Sequence, residues 1–315
     1  MSPGIPRAHC LSIMKTTHLI IDAKNMLYRA VYSARSDKQF KNSEYHPINI
    51  VLHILTYYRE KFNPEQLHVF WDSPRDVTWR RKLSPTYKGN RGSHDEKVVN
   101  GLINLTEVSV MLFSNMGIRQ YYRSMMEADD LIYAFCKLNP KESSVIVSSD
   151  SDLTQIPYCF KNVSVYHPSK KRDKIEPRPK NDPVIQKCLI GDKSDNIAGY
   201  HRVGKITASR LTENTEKLHE FFLSEKAIAQ DRSSGQRVLV GPKRFLENLQ
   251  LIDLSLCPYL LDNLEYVLGK QFKPVKFDLK AVRNLISKYK LRGVTADIPR
   301  YISPFKKLVR ESNAS

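Results

Sequence analysis

The sequence predicts an α/β fold, a mostly parallel central sheet flanked by helices, followed by a helical C-terminal region. Three observations carry this. Short apolar runs alternate with segments of helical spacing through the first half of the chain. Several of those runs end on an aspartate. Beyond residue 180 helical spacing continues while strand signals thin out.

Residues 1–14, with Pro3, Gly4 and Pro6 and no periodic pattern, read as a flexible leader. His18–Ile21 is a strand-like run ending at Asp22. Ile48, Val51, Leu52, Leu55 and Tyr58 recur at helical spacing up to Phe62, and Pro47 suits a first turn. Leu67–Trp71 is a second strand, ending at Asp72. A helix over Gly101–Met116 and a third strand over Ile118–Tyr122 follow. Asp129–Leu138 is an amphipathic helix stopped by Asn139-Pro140, and Val145–Val147 and Val163–Val165 supply two more strands. Residues 15–180 thus form an α/β core, containing a basic stretch from about 74 to 100. A basic turn (Lys170–Lys174) and Pro177, Pro179 and Pro183 precede a helical region, 181–315. Its helices are expected at Pro183–Ile190, Lys205–Leu211, Thr215–Phe222, Pro242–Leu249 and Leu279–Lys288.

At 315 residues, 41% hydrophobic and 26% charged, the chain can bury a full core. No apolar run approaches the ~18 residues that span a bilayer, and no signal peptide is evident. A cytoplasmic location is the expectation, the host cytoplasm if the protein is phage-encoded. Fifty Lys+Arg against 33 Asp+Glu give a net charge of +17, which favours a polyanionic partner over a membrane surface. The five cysteines lack C-x-x-C spacing and the nine histidines lack zinc patterns, so any metal must be held by oxygen.

The acidic residues are therefore the informative ones. Asp22 and Asp72 end strands, Asp150 and Asp152 follow another by a few residues, and Glu127-Ala-Asp129-Asp130 opens a helix. In an open α/β sheet these positions converge at the carboxyl edge, where ligands bind. Glu127 and Asp130, three apart, share one helix face, and Asp192 and Asp195 repeat that spacing. Any one motif alone reads better as a helix cap or a solvated turn. Four such junctions in a basic chain point instead to carboxylates whose mutual repulsion a divalent cation relieves. An all-oxygen donor set suits Mg²⁺, with Mn²⁺ as a substitute. Two ions ~4 Å apart would serve an in-line phosphodiester displacement.

These blocks, in this order, resemble the 5′-nuclease family of flap endonucleases, polymerase-associated 5′-nucleases and phage enzymes. The resemblance rests on Ile21-Asp22 to Arg29, Phe70-Trp-Asp72, Trp79-Arg80 with Tyr87-Lys88-Gly-Asn-Arg91, Glu127 to Asp130, Ser148-Ser-Asp150-Ser-Asp152, and Gly191-Asp192 to Asn196. Trp79-Arg-Arg81 and Val165-Tyr-His-Pro168 lean towards its phage ribonuclease H branch. The resemblance implies a PIN-like nuclease core and Asp22, Asp72, Glu127, Asp129 and Asp130 around a first ion. Asp150, Asp152, Asp192 and Asp195 would hold or tune a second. Lys88 and Arg91 would reach the scissile phosphate. Arg29, Arg80 and Tyr87 would contact nucleic acid, with residues 74–100 as a mobile arch over single strand. Val203, Gly204 and Lys205, within Gly199–Leu211, would belong to a helix-turn-helix that grips duplex. Two positions depart from the pattern: Ala23, and Arg202 where glycine is usual, which alters a tight hairpin.

The implied activity is 5′-3′ exonuclease and flap endonuclease cleavage with ribonuclease H activity, removing primers and flaps in DNA replication. The implied substrates are branched DNA and RNA–DNA hybrid. A single-strand-binding protein or sliding clamp is the implied partner, and a monomer the implied state. The segment Tyr301–Ser315, with Phe305-Lys-Lys307, reads as a frayed terminus or as a dock for such a partner. A PIN-like ribonuclease and a non-catalytic replisome protein are the competing readings.

Overall fold

The computed structural model describes residues 16–36, 45–90, 96–168, 174–175, 179, 181–230, 235–261, 264, 268 and 276–308. The leader, Arg91 and the basic turn up to residue 173 lie outside them.

Five parallel strands form the sheet: β1 (His18–Asp22), β2 (Gln66–Phe70), β3 (Arg119–Tyr121), β4 (Ser144–Val147) and β5 (Val163–His167). A short β6 (Lys174–Ile175) runs antiparallel at the edge, and the spatial order is β3-β2-β1-β4-β5-β6. Every residue of β1 is buried, as expected of a central parallel strand covered on both faces. The two-residue period of a strand divides its side chains. Leu19 and Ile21 pack with α1 (Ala23–Ser36), α2 (His46–Phe62) and α4 (Glu96–Asn115), whereas Ile20 packs with α5 (Ala128–Leu138) and α6 (Gln155–Cys159). The short helix α3 (Trp79–Leu83) lies between β2 and α4 in sequence.

The chain winds from β1 outward to β3, then crosses back to β4 on the other side of β1. The strand order therefore reverses between β1 and β4. Beyond their carboxyl ends lies the crevice where ligands bind in doubly wound sheets.

The later region contains α7 (Pro183–Ile190), a hairpin of β7 (Gly191–Asp192) and β8 (Ile197–Ala198), and α8 (Lys205–Leu211). It continues through α9 (Thr215–Leu223), a second hairpin of β9 (Ile228–Gln230) and β10 (Arg237–Leu239), and α10 (Lys243–Ile252). Both hairpins escape the sequence reading because their strands of two or three residues are too short to show alternation. The expected C-terminal unit is also divided. Helix α11 (Leu279–Lys288) and residues up to 308 return to the first core, where Val282, Ile286, Tyr301, Ile302, Phe305 and Leu308 are buried with α2. Phe305 is fully buried, so it is neither frayed nor free to dock a partner.

Candidate active site

The exits of β1 and β4 are stitched together. Asp22, the last residue of β1, accepts from the Asn25 backbone N–H at 3.1 Å and from Ser148 Oγ at 3.0 Å. Ser148 Oγ in turn accepts from Asp150 N at 3.0 Å, and Asn25 Nδ2 donates to Ser149 Oγ at 2.7 Å. Asp72, just beyond β2, accepts from the N–H of Ala128 at 3.1 Å, which fixes it against the start of α5 and its positive dipole end. Asp129 lies in that first turn.

Asp22, Asp72, Asp129 and Asp150 thus act on one another. Burial, then the charges of Asp72 and Asp150, push the Asp22 carboxyl up to about 7. Burial, then Asp150, Asp22 and Asp72, raise Asp129 well above the usual carboxylate range. Lys24, half-exposed, lies 3.9 Å from Asp72 Oδ2, and the charge of Lys88 acts on Asp129.

A second group lies beside it. One carboxylate oxygen from each of Asp152, Asp192 and Asp195 falls within 4.8 Å of the others. Asp192 and Asp195 sit on the β7–β8 hairpin, which presses tightly on the end of α7. A Cβ on Gly199 would lie 2.0 Å from the Ile190 carbonyl oxygen, and Gly191 has φ +80°, so glycine is required at both. Asp192 Oδ1 accepts from Ser194 N and Oγ, each at 2.7 Å. Lys187, on the last turn of α7, contacts Asp152 and Asp192. Burial works against the charged form of Asp192, but Lys187 and Ser194 outweigh it and hold the group down to about 2. For Asp152, burial and Asp150 prevail over Lys187 and leave its carboxyl raised.

Two members of the expected ligand set, Glu127 and Asp130, are engaged by Arg80. Asp130 is fully buried and takes Arg80 Nη2 on Oδ1 at 2.8 Å. Its Oδ2 accepts from Arg80 Nη1, Trp79 Nε1 and the Glu127 N–H at 3.0–3.1 Å. Glu127 caps α5 in a reciprocal box with Asp130, and its carboxylate meets Arg80 Nη1 at 2.9 Å, Tyr87 Oη at 3.1 Å and Lys88 Nζ. Their shared helix face, legible in the spacing, is turned to this cluster, with Glu127 also joined to Asp195 through Tyr87 Oη, while Asp129 acts on Asp150, Asp22 and Asp72. Asp130, with both oxygens taken by Arg80, is thus committed to a buried ion pair, whereas Glu127 pairs with Lys88 at the border of the two carboxylate groups.

The same geometry corrects the arch. Arg80 is 2% exposed and donates through Nε to the Leu251 carbonyl at 2.8 Å, so it cannot meet nucleic acid. Tyr87 is equally buried, bridging Glu127 and Asp195 (3.0 Å). Residues 74–90 form a packed base tied to the hairpin by Lys88 N to Asp195 O (2.8 Å) and Asn196 Nδ2 to Thr86 O (2.8 Å). Lys88 has φ +54° and places its ammonium between Glu127 and Asp195, 3.8 Å from Asp195 Oδ2. Burial opposes that charge, but Glu127 and Asp195 raise the lysine above its ordinary range. Conversely, burial would raise Glu127, yet Lys88 and Arg80 hold it down to about 2.

The other expected contacts separate by exposure. Arg29 donates to Tyr58 Oη at 3.0 Å and is partly buried. Val203 is buried with Leu189, Tyr200 and Ala208, so it packs rather than binds. Gly204 and Lys205, at the start of α8, are exposed. Arg202 adopts a left-handed φ of +60°, a conformation that glycine would adopt freely and that strains a residue with a side chain. Sequence reasoning missed Lys187, whose signal was a basic residue one helical turn before Gly191-Asp192. It also missed the polar clamps Asn25 and Ser148.

The donor chemistry fits divalent cations. The first group is all carboxylate and crowded, with Asp22 and Asp129 raised by burial and then by their neighbours' charge, and the second adds three more carboxylates at short range. Fold and site together define a carboxylate-centred α/β nuclease. The profile of the 5′-3′ exonuclease N-terminal resolvase-like domain matches residues 17–187, and the chain belongs to that family. It is 26% identical over 252 residues to a 5′-3′ exonuclease of Mycoplasmopsis pulmonis, covering 75% of this chain and 80% of that protein. It is 30% identical over 203 residues to ribonuclease H of Enterobacteria phage T4, covering 61% of this chain and 65% of that one. The solved structure of the T5 D15 protein co-crystallized with metal ions has the same fold, with a TM-score of 0.60 and 16% identity over 88% of this chain and 99% of that one. The protein is thus a nuclease with the PIN-like 5′-nuclease fold.

Proposed function

We propose that this nuclease is a Mg²⁺-dependent 5′-3′ exonuclease and flap endonuclease with ribonuclease H activity, acting on branched DNA and RNA–DNA hybrid. The observation that carries the reading is the pair of adjoining carboxylate groups at the β1–β4 switch point, with Lys88 held at their border. Asp22, Asp72, Asp129 and Asp150 would hold one divalent ion; Asp152, Asp192 and Asp195 would hold the second. Bound there, the ions supply Lewis acidity, making a water more acidic and neutralising charge on the departing oxygen.

The chain's own groups do the rest. Asn25 and Ser148 fix the Asp22 carboxylate, and Ala128 N–H fixes that of Asp72. Glu127 and Asp195 hold the Lys88 ammonium protonated and in place, where it can neutralise charge gathering on a phosphate. The net charge of +17 draws a polyanion towards an acidic centre. Exposed Gly204 and Lys205 are available to the backbone of a duplex. Removal of primers and flaps during replication, in the cytoplasm, is the role this substrate range fits. No helix among the described residues is long and apolar enough to cross a membrane.

The test is cleavage of a 5′-labelled flap duplex and of an RNA–DNA hybrid, with Mg²⁺ or EDTA, comparing wild type with Asp72→Asn. Metal-dependent products that vanish in the variant support the reading. Salt-sensitive binding with no cleavage by the wild type would overturn it.

A further inference from the structure

Ammonium groups are unevenly distributed over the two carboxylate groups. The first has Lys24, half-exposed and 3.9 Å from Asp72. The second has Lys88 at its edge, 3.8 Å from Asp195 Oδ2 and shared with Glu127, and Lys187 in its midst. The Lys187 Nζ contacts Asp152 Oδ1 and Asp192 Oδ2, two of the three carboxylates that converge there. Its side chain is 19% exposed.

The backbone that presents Lys187 is firmly held. Asp182 caps α7 by accepting from Val184 N at 2.8 Å, and Asn248 Nδ2 grips the Cys188 carbonyl and the Ala198 carbonyl across the hairpin, each at 2.9 Å. The helix therefore aims the lysine at these carboxylates, while the long, flexible stem leaves its ammonium free to move.

A lysine ammonium and a divalent ion are both cations that seek the same carboxylate oxygens. At contact distance they repel, so they compete for Asp152 and Asp192. We propose, building on the two-ion reading above, that Lys187 is a built-in cation filling the second ion's place in the metal-free enzyme. The second ion enters only when the ammonium withdraws, and a substrate phosphate is what the ammonium withdraws to. Lys187 is then a positioning residue that couples loading of the second ion to the arrival of nucleic acid. It also keeps the acidic hairpin from repelling itself apart beforehand.

The test is Mn²⁺ binding to the full chain, followed by electron paramagnetic resonance, for wild type, Lys187→Met and Lys187→Gln. Wild type should show one tight and one weak step. Both variants should tighten the weak step by about ten-fold or more by removing the competing charge, leaving the tight step unmoved as an internal check on folding. A duplex with a non-hydrolysable phosphorothioate end should tighten the weak step of the wild type and leave both variants nearly unresponsive. An unchanged or weakened second step in both variants would overturn the proposal while the first step still stands. Absence of any Mn²⁺ binding by the wild type would instead remove the metal-dependent reading itself, and this proposal with it.

Discussion

Replace Asp22 by asparagine and the metal-free protein should become more stable at pH 8, although its proposed chemistry is lost. Asp22 is 6% exposed and its carboxyl is raised from 3.8 to about 7, by burial first and by Asp72 and Asp150 next. The sign follows from linkage. A carboxyl whose folded value lies above its unfolded one binds protons more tightly in the folded state. Its penalty is absent below the unfolded value of 3.8, grows between 3.8 and about 7, and is complete above that. At 1.36 kcal/mol per unit the full penalty is about 4 kcal/mol, and relaxation of the neighbouring acids should leave about 2 kcal/mol to be recovered. Asparagine is nearly isosteric: its Oδ1 can still accept from Asn25 N, and its Nδ2 can donate to Ser148 Oγ, whose hydroxyl turns to accept. The assay is urea unfolding in EDTA at pH 5 and pH 8, repeated at pH 8 with Mg²⁺. The variant should gain stability at pH 8, gain less at pH 5, and lose its advantage in Mg²⁺, which stabilises the wild type by binding its folded state. Destabilisation of the variant at pH 8 in EDTA, or equal stabilisation of both proteins by Mg²⁺, would refute the reasoning.

Arg80→Ala should leave the buried carboxylates of Glu127 and Asp130 short of a partner and cost about 3–5 kcal/mol, read by urea unfolding; weaker DNA binding without loss of stability would contradict the buried assignment. Glu127, held near 2 rather than 4.5, contributes about 3 kcal/mol that is fully present above pH 4.5 and lost as pH falls towards 2, so Glu127→Gln should flatten the acid limb of the stability profile. Lys88→Ala should slow single-turnover cleavage by about 100-fold while changing DNA affinity in EDTA far less; comparable losses in both would make Lys88 a simple binding residue. Arg202→Gly relieves a φ of +60° and should raise stability by about 0.5–1 kcal/mol in the same unfolding assay.

The sequence by itself determined the five strands of the central sheet, their mostly parallel arrangement and the ends at which acids gather. Apolar runs such as Leu19-Ile20-Ile21 have little alternative to a doubly covered sheet, and the aspartates that end them must then share its carboxyl edge. Helix periodicity also put Glu127 and Asp130 on one face. What it left undecided was the partner of that face. Glu127, Asp129 and Asp130 are neighbours of the same chemistry, and only the position of Arg80, brought in from 47 and 50 residues away, ties two of them to a buried guanidinium and leaves the third beside the other aspartates. Likewise Arg80, Tyr87 and Lys88 read as one basic loop until packing buries the first two. Lys187 looked like any lysine on a short helix until the fold carried it against Asp152, 35 residues earlier in the chain. Local patterns fix local conformation because they act through backbone sterics and side-chain period. Charge pairing acts through space between distant segments, so which acid is neutralised by a side chain and which is left for an ion is settled by tertiary structure.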